Sequence, residues 1–174
     1  VYKRQGSGRP FVLEIKRPLR RNLPTKDLVD MVQTHASGKV EVDELSWCTR
    51  KKVNEVKQSR SEKTYTIRFR AERIDEEKKA EEAILSLSGQ IIDQETPRRV
   101  SHRRAAKTRR RKVTSIDNVS FEEDEIELTL RCEAGTYVKE LVHSDEGRTK
   151  PSVQGVLDAD CEVIWLDVLE IHDD

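Results

Sequence analysis

Cysteine is scarce in this sequence. The three present, Cys48, Cys132 and Cys161, lie far apart and form no CxxC pair. That spacing excludes a zinc ribbon and reads as free thiols in a reducing compartment. Aromatic residues make up only 5% of the chain. No apolar run reaches the ~18 residues that a membrane-spanning helix needs, and no charged-then-apolar leader is visible, so the expected location is the cytoplasm. Net charge is absent as well, with 33 Lys and Arg against 33 Asp and Glu. Charged residues nevertheless fill 38% of the chain. Such polarity alone would favour disorder, but periodic apolar segments argue for a folded core. The 174 residues suit one domain, burying roughly two-thirds of its unfolded surface.

The zero sum hides segregated signs. Residues 1–26 carry eight Lys and Arg and a single acid, Glu14. Residues 151–174 carry seven acids and no Lys or Arg, and residues 122–127 read EEDEIE. Between them, residues 98–112 hold nine Lys and Arg, one His and no acid. A local positive field of this density attracts phosphate, which points to nucleic acid. EEDEIE reads as a solvated hairpin edge. The plainest alternative is a structural one, in which the basic run pairs with the acidic carboxy-terminal strand.

Hydrophobic spacing outlines the elements. KTYTIRFRAE (63–72) alternates cleanly, with Tyr65, Ile67, Phe69 and Ala71 on one face and Thr64, Thr66, Arg68 and Arg70 on the other. FVLEIK (11–16), KVEVDELSW (39–47) and CEVIWLDVLEI (161–171) also read as strands, and 109–121 with 125–135 as a hairpin. Helices are expected from Thr25 to Gly38, with Thr25 as its cap, over 75–89, from Thr136, and over 152–158. Residues 96–99 (TPRR) read as a loop. Strands that mostly follow one another, with helices inserted, predict an α+β domain built on a mixed, largely antiparallel sheet.

The sharpest short motif is EAGTYVKEL (133–141). Gly135 allows a tight exit from a strand and Thr136 can cap the turn after it. Tyr137, Val138 and Leu141 can anchor that turn in the core while Lys139 projects. An ordinary strand-to-helix junction with a surface lysine fits the motif equally well.

Taken together, GSGRPFVLEIKRP (6–18), KTY (63–65), TPRRVSHRRA with KTRRRKV (96–113), EAGTYVKEL and HSDEGRTKPSV (143–153) resemble the archaeal and eukaryotic tRNA pseudouridine synthases that act on the T-loop. The GTYVK element is also similar to GTYIR of the bacterial T-loop synthases. The resemblance runs in order from about residue 6 to residue 171. It implies a pseudouridine synthase fold and isomerisation of T-loop uridine 54, 55 or both in tRNA. The base is flipped out, its N1–ribose bond breaks, and the ring is rejoined through C5. No metal or soluble cofactor is needed. The implied partner is tRNA, through its T-arm; no protein partner or membrane is expected, and the chain is expected to be a monomer.

The resemblance also assigns roles. Tyr65 would stack on the flipped base, which offsets part of the unstacking cost, although Tyr65 also suits a buried strand face. Lys139 would be the cation beside the catalytic carboxylate; bacterial relatives place Arg there, so charge is kept and the bidentate fork is lost. Leu166 would pack the pocket, where plain core packing fits it too. Arg98, Arg99, His102, Arg103 and Arg104 would contact the tRNA, and Lys107, Arg109, Arg110, Arg111 and Lys112 would extend that track.

One departure matters. The family's catalytic aspartate lies in a Gly-Arg-Glu-Asp-x-Asp-Val segment before the stretch matched by GSGRPF; here VYKRQ (1–5) stands there and carries no acid. The expectation is that residues 1–5 are unplaced, that 6–174 form the larger, carboxy-terminal part of a catalytic domain, and that this piece alone is inactive. Asp27 and Asp30 are the nearest acids, but they fall in the predicted helix. The competing reading is a non-catalytic RNA-binding module, for which a stacking aromatic and a cation in one pocket would have no use.

Overall fold

The computed structural model describes Tyr2 and Lys3 along the backbone, then Gly8 and residues 10–172. Most of VYKRQ, and GSGR apart from Gly8, lies outside the described residues. The chain divides into two units, residues 10–59 and the remainder.

The larger unit is built on one seven-stranded sheet in the order β1-β7-β2-β5-β4-β3-β6. Its strands are β1 (Tyr2–Lys3), β2 (Glu62–Ala71), β3 (Ile91–Gln94), β4 (Arg109–Glu122), β5 (Glu125–Cys132), β6 (Thr149–Lys150) and β7 (Cys161–His172). Among the described residues only β1 runs parallel to its neighbour, pairing Tyr2 with Leu166 and Lys3 with Asp167. The expected α+β architecture with a mixed, largely antiparallel sheet is thus present. β2 behaves as its alternation predicts: Ile67 and Phe69 are buried, while Arg68 and Arg70 are exposed. β4 and β5 form the expected hairpin around Glu123 and Asp124, with Glu123 in the left-handed region at φ 55°.

Three helices, α3 (Glu77–Leu85), α4 (Val138–His143) and α5 (Val153–Leu157), accompany this sheet. α4 packs on β7 and on α5, and α3 on α5 and β4. Together they seal a core of Ile67, Phe69, Ile84, Leu87, Ile92, Leu128, Leu130 and Leu141, all almost wholly buried. Burial of this apolar surface is the main term holding the unit together.

The opposite face of β2 answers the question of the acidic run. Arg68 donates to Glu127 at 2.9 Å and Arg70 to Glu125 at 3.0 Å, and the Arg68 guanidinium lies 5.8 Å from the Trp165 ring centroid. EEDEIE is therefore tied into ion pairs across the sheet rather than simply solvated. β7 and β4 are separated by β2 and β5, so residues 109–112 of the basic run do not lie beside the acidic carboxy-terminal strand.

In the smaller unit, α1 (Thr25–Ala36) matches its predicted span, but Pro24 occupies the N-cap and Thr25 is already helical. α2 (Arg50–Gln58) was not legible, since its sequence RKKVNEVKQ carries only two apolar residues. The predicted strands at 11–16 and 39–47 are irregular chain instead. A strand needs a partner for its backbone groups and cover for its apolar face. Here Phe11, Leu13, Ile15 and Val40 are half-exposed or more. Val42 is the one buried residue described in this unit, and its carbonyl accepts from Gln33 at 3.1 Å.

Candidate active site

Tyr65 and Leu166 lie on adjacent strands and share a face. In the β2–β7 register Ile67 stands opposite Leu166 and Tyr65 opposite Val168, and cross-strand partners project to the same side. Leu166 is buried within the core cluster, and Tyr65 packs against its edge, half-buried. Lys139 rides on α4, whose Val138, Leu141 and Val142 belong to the same cluster and which rests on the strand bearing Leu166. Lys139 itself is half-buried. Tyr65, Leu166 and the helix that bears Lys139 therefore share one apolar body.

The turn into α4 differs in detail from expectation. Gly135 has φ +81°, as the tight exit requires. Thr136 does not cap the helix; its hydroxyl donates to the Glu133 carbonyl at 2.8 Å. Tyr137 is the N-cap residue, and α4 has no capping side chain of its own.

Around this turn the basic stretch folds back. Residues Arg98–Arg103 form a short 3-10 helix rather than a loop, with Val100 buried beneath it. Arg99 grips Glu140 of α4 through Nε at 2.6 Å and Nη2 at 3.3 Å, and Glu140 is only 2% exposed. The guanidinium groups of Arg99 and Arg109 lie 6.0 and 5.9 Å from the centroid of the Tyr137 ring. Contacts of this kind strengthen where water is excluded. Thr96, 4% exposed, anchors the segment by donating to the Ala105 carbonyl at 2.7 Å and accepting from Arg109 at 3.0 Å.

The pleat of β4 divides its basic run. Arg109 and Arg111 alternate with the exposed Arg110 and Lys112, so the four do not line one surface. Arg111 packs its guanidinium against Gly135 and its buried Nε has no hydrogen-bond partner among the described residues. Arg110 lies 3.8 Å from Asp93, and Arg98 pairs with Glu146. His102, Arg103, Arg104, Lys107 and Lys112 are exposed.

Sequence reasoning missed Gln94, Thr96 and Glu140. The signal for Gln94 was the alternation Ile92–Gln94 ahead of Pro97, which placed a polar residue on an inward position. Glu140 gave none, because an acid beside a lysine on a short helix usually faces water.

A sequence model of the family described as Pus10, C-terminal matches residues 3–172. The chain belongs to this Pus10 family. It is 45% identical over 166 residues to the protein called tRNA pseudouridine synthase Pus10 in Methanothrix thermoacetophila, covering 95% of this chain and 36% of that protein. The protein of the same name in Pyrococcus furiosus is 40% identical over 172 residues, covering 97% of this chain and 43% of its own. This Pus10-family chain thus spans about two-fifths of the length of these relatives. By fold it is similar to a chain in the crystal structure of a Cbf5-Nop10-Gar1 complex, with a TM-score of 0.56 at 20% identity, covering 85% of this chain and 45% of that one.

Proposed function

We propose that this chain supplies the base-binding wall and the cation of a tRNA pseudouridine synthase that isomerises T-loop uridine 54, 55 or both. The observation that carries the reading is the convergence of Tyr65, Leu166 and the Lys139-bearing helix on one apolar body, beside a basic segment anchored to that same helix. A flipped uracil stacks on Tyr65 with Leu166 behind it. Lys139 keeps a catalytic carboxylate ionised in a pocket that would otherwise favour its neutral form. The N1–ribose bond breaks and the ring rejoins through C5, an isomerisation that requires no second reactant. Arg103, Arg104 and Lys107 follow the phosphates of the T-arm, whose splayed loop bases suit such a surface. The aspartate itself comes from a segment that VYKRQ does not provide, and the 174 residues alone do not turn over.

The test is to incubate unmodified tRNA transcript with this chain and with the chain in which VYKRQ is replaced by Gly-Arg-Glu-Asp-x-Asp-Val, then map pseudouridine. Modification by the replaced chain only is the expected result. Turnover by the original chain would place the carboxylate within these residues. Salt-dependent tRNA binding by both without turnover would favour the non-catalytic RNA-binding module.

A further inference from the structure

We infer that Gln94 is a positioning residue for Lys139, an inference that rests on the synthase reading for its catalytic meaning only. Gln94 is fully buried in β3, between Arg109 of β4 and Thr149 of β6 in register. Its side-chain amide holds the turn into α4 and reaches β6. The Tyr137 N–H donates to Gln94 Oε1 at 2.8 Å, and Gln94 Nε2 donates to the Tyr137 carbonyl at 3.0 Å. The second Nε2 hydrogen reaches Thr149 Oγ1 at 3.3 Å. The two Tyr137 groups dictate the amide orientation, since a flipped group would set its oxygen against the Tyr137 carbonyl and its NH2 against the Tyr137 N–H.

The consequence is local and directional. Tyr137 is the N-cap of α4, and its carbonyl also accepts the first helical bond, from Leu141 at 3.0 Å. α4 has no side-chain cap of its own, and the N–H of its N-cap residue is satisfied instead by Gln94, 43 positions away. A six-residue helix contributes little to fixing its own start. With both backbone groups of Tyr137 held, the helix begins at a set azimuth, and Lys139, two residues on, is aimed by it. The Tyr137 ring, with the Arg99 and Arg109 guanidiniums 6.0 and 5.9 Å from its centroid, ties the same point to the basic segment. Gln94 thereby ties the strand layer to the cation without touching substrate.

The test uses this chain first. By hydrogen exchange, the Tyr137 amide of the unsubstituted chain should be protected comparably to amides of β5; exchange as fast as an exposed loop amide would overturn the clamp. Gln94→Met keeps the volume and removes every bond. It should speed Tyr137 exchange at least about tenfold relative to β5 amides and shift the NMR signal of methylated Lys139. Unchanged exchange and an unmoved Lys139 signal would overturn the inference. Neither readout depends on turnover, so failure of the synthase reading is seen separately, as an inactive aspartate-bearing chain. Where that chain is active, Gln94→Met should lower kcat roughly tenfold or more while KM for tRNA stays within about twofold. An equal loss in kcat and in folded fraction would reduce Gln94 to a packing residue.

Discussion

A lysine at position 139 sits on a helix whose neighbouring side chains are almost all committed to the core or to Arg99. In the proposed site it acts through charge alone, because an ammonium lacks the planar fork of Arg. In the aspartate-bearing chain, Lys139→Ala should reduce kcat by roughly 100-fold or more with tRNA affinity nearly unchanged, while Lys139→Arg retains most of the rate. Equal loss of binding and turnover would remove Lys139 from the chemistry. The thiols offer a second check at this scale. Burial pushes Cys132 and Cys161 up to about 12, while Cys48 is exposed. A disulfide reagent at about pH 8 should therefore titrate one thiol in the folded chain and three after unfolding. The sign for stability follows from the raised values. Unfolded thiols ionise above the ordinary value of 9.0, whereas the buried ones hold their protons to about 12. The folded state thus keeps its full margin below pH ~9 and loses part of it as pH rises towards ~12, a slope that Cys132→Ala should flatten in denaturant melts.

The basic stretch is one run in the sequence but two elements in space. Its first half is a 3-10 helix pinned to α4 through Arg99, and its second half is a strand whose pleat sends successive arginines to opposite faces. Among the described residues Arg103, Arg104 and Lys107 are exposed, lie off the β4 strand and have no acidic partner, which suits them to follow a phosphate track. Each, changed to Ala, should weaken tRNA binding across sequences and reduce the slope of log affinity against log salt by roughly 0.7–0.9. Arg68→Ala and Arg70→Ala should leave that slope unchanged, because both guanidiniums are already paired with Glu125 and Glu127 on the open face of the sheet. A shallower slope in Arg68→Ala would show instead that RNA reaches that face. Titration of labelled tRNA at several salt concentrations decides between them.

Over the whole molecule, the apolar burial is unevenly shared. The larger unit holds the core cluster, whereas α1 and α2 of residues 10–59 have no buried residues. Local opening is cheapest where buried contacts are few. Hydrogen exchange should therefore be complete across residues 10–59 well before β2, β5 and β7 exchange, and limited proteolysis should cut first in that unit. Protection in α1 equal to that in β5 would show that residues 10–59 are stabilised as strongly as the sheet.

The sequence by itself determined the elements whose pattern is long and one-sided. β2, the hairpin, β7, α1 and the short helix after Gly135 were readable because period, flanking glycine and turn residues agreed. The same pattern placed Tyr65 on an inward face, and the motifs named the family and, through the resemblance, Leu166. Only the tertiary structure decided what depends on a partner distant in the chain. FVLEIK and KVEVDELSW carry strand-like spacing yet remain irregular, since a strand exists only when another supplies its hydrogen bonds. β3 and β6 are too short to announce themselves and form because β4 offers an edge to β3, and β3 to β6. Thr96 and Glu140 look like surface residues in the sequence, and Gln94 shows no more than a short alternation; all three are buried because the fold sets Ala105, Arg99 and Tyr137 against them. A buried polar side chain is stable only with its hydrogen-bond partners in place, and those partners are chosen by topology, which no local window of sequence contains.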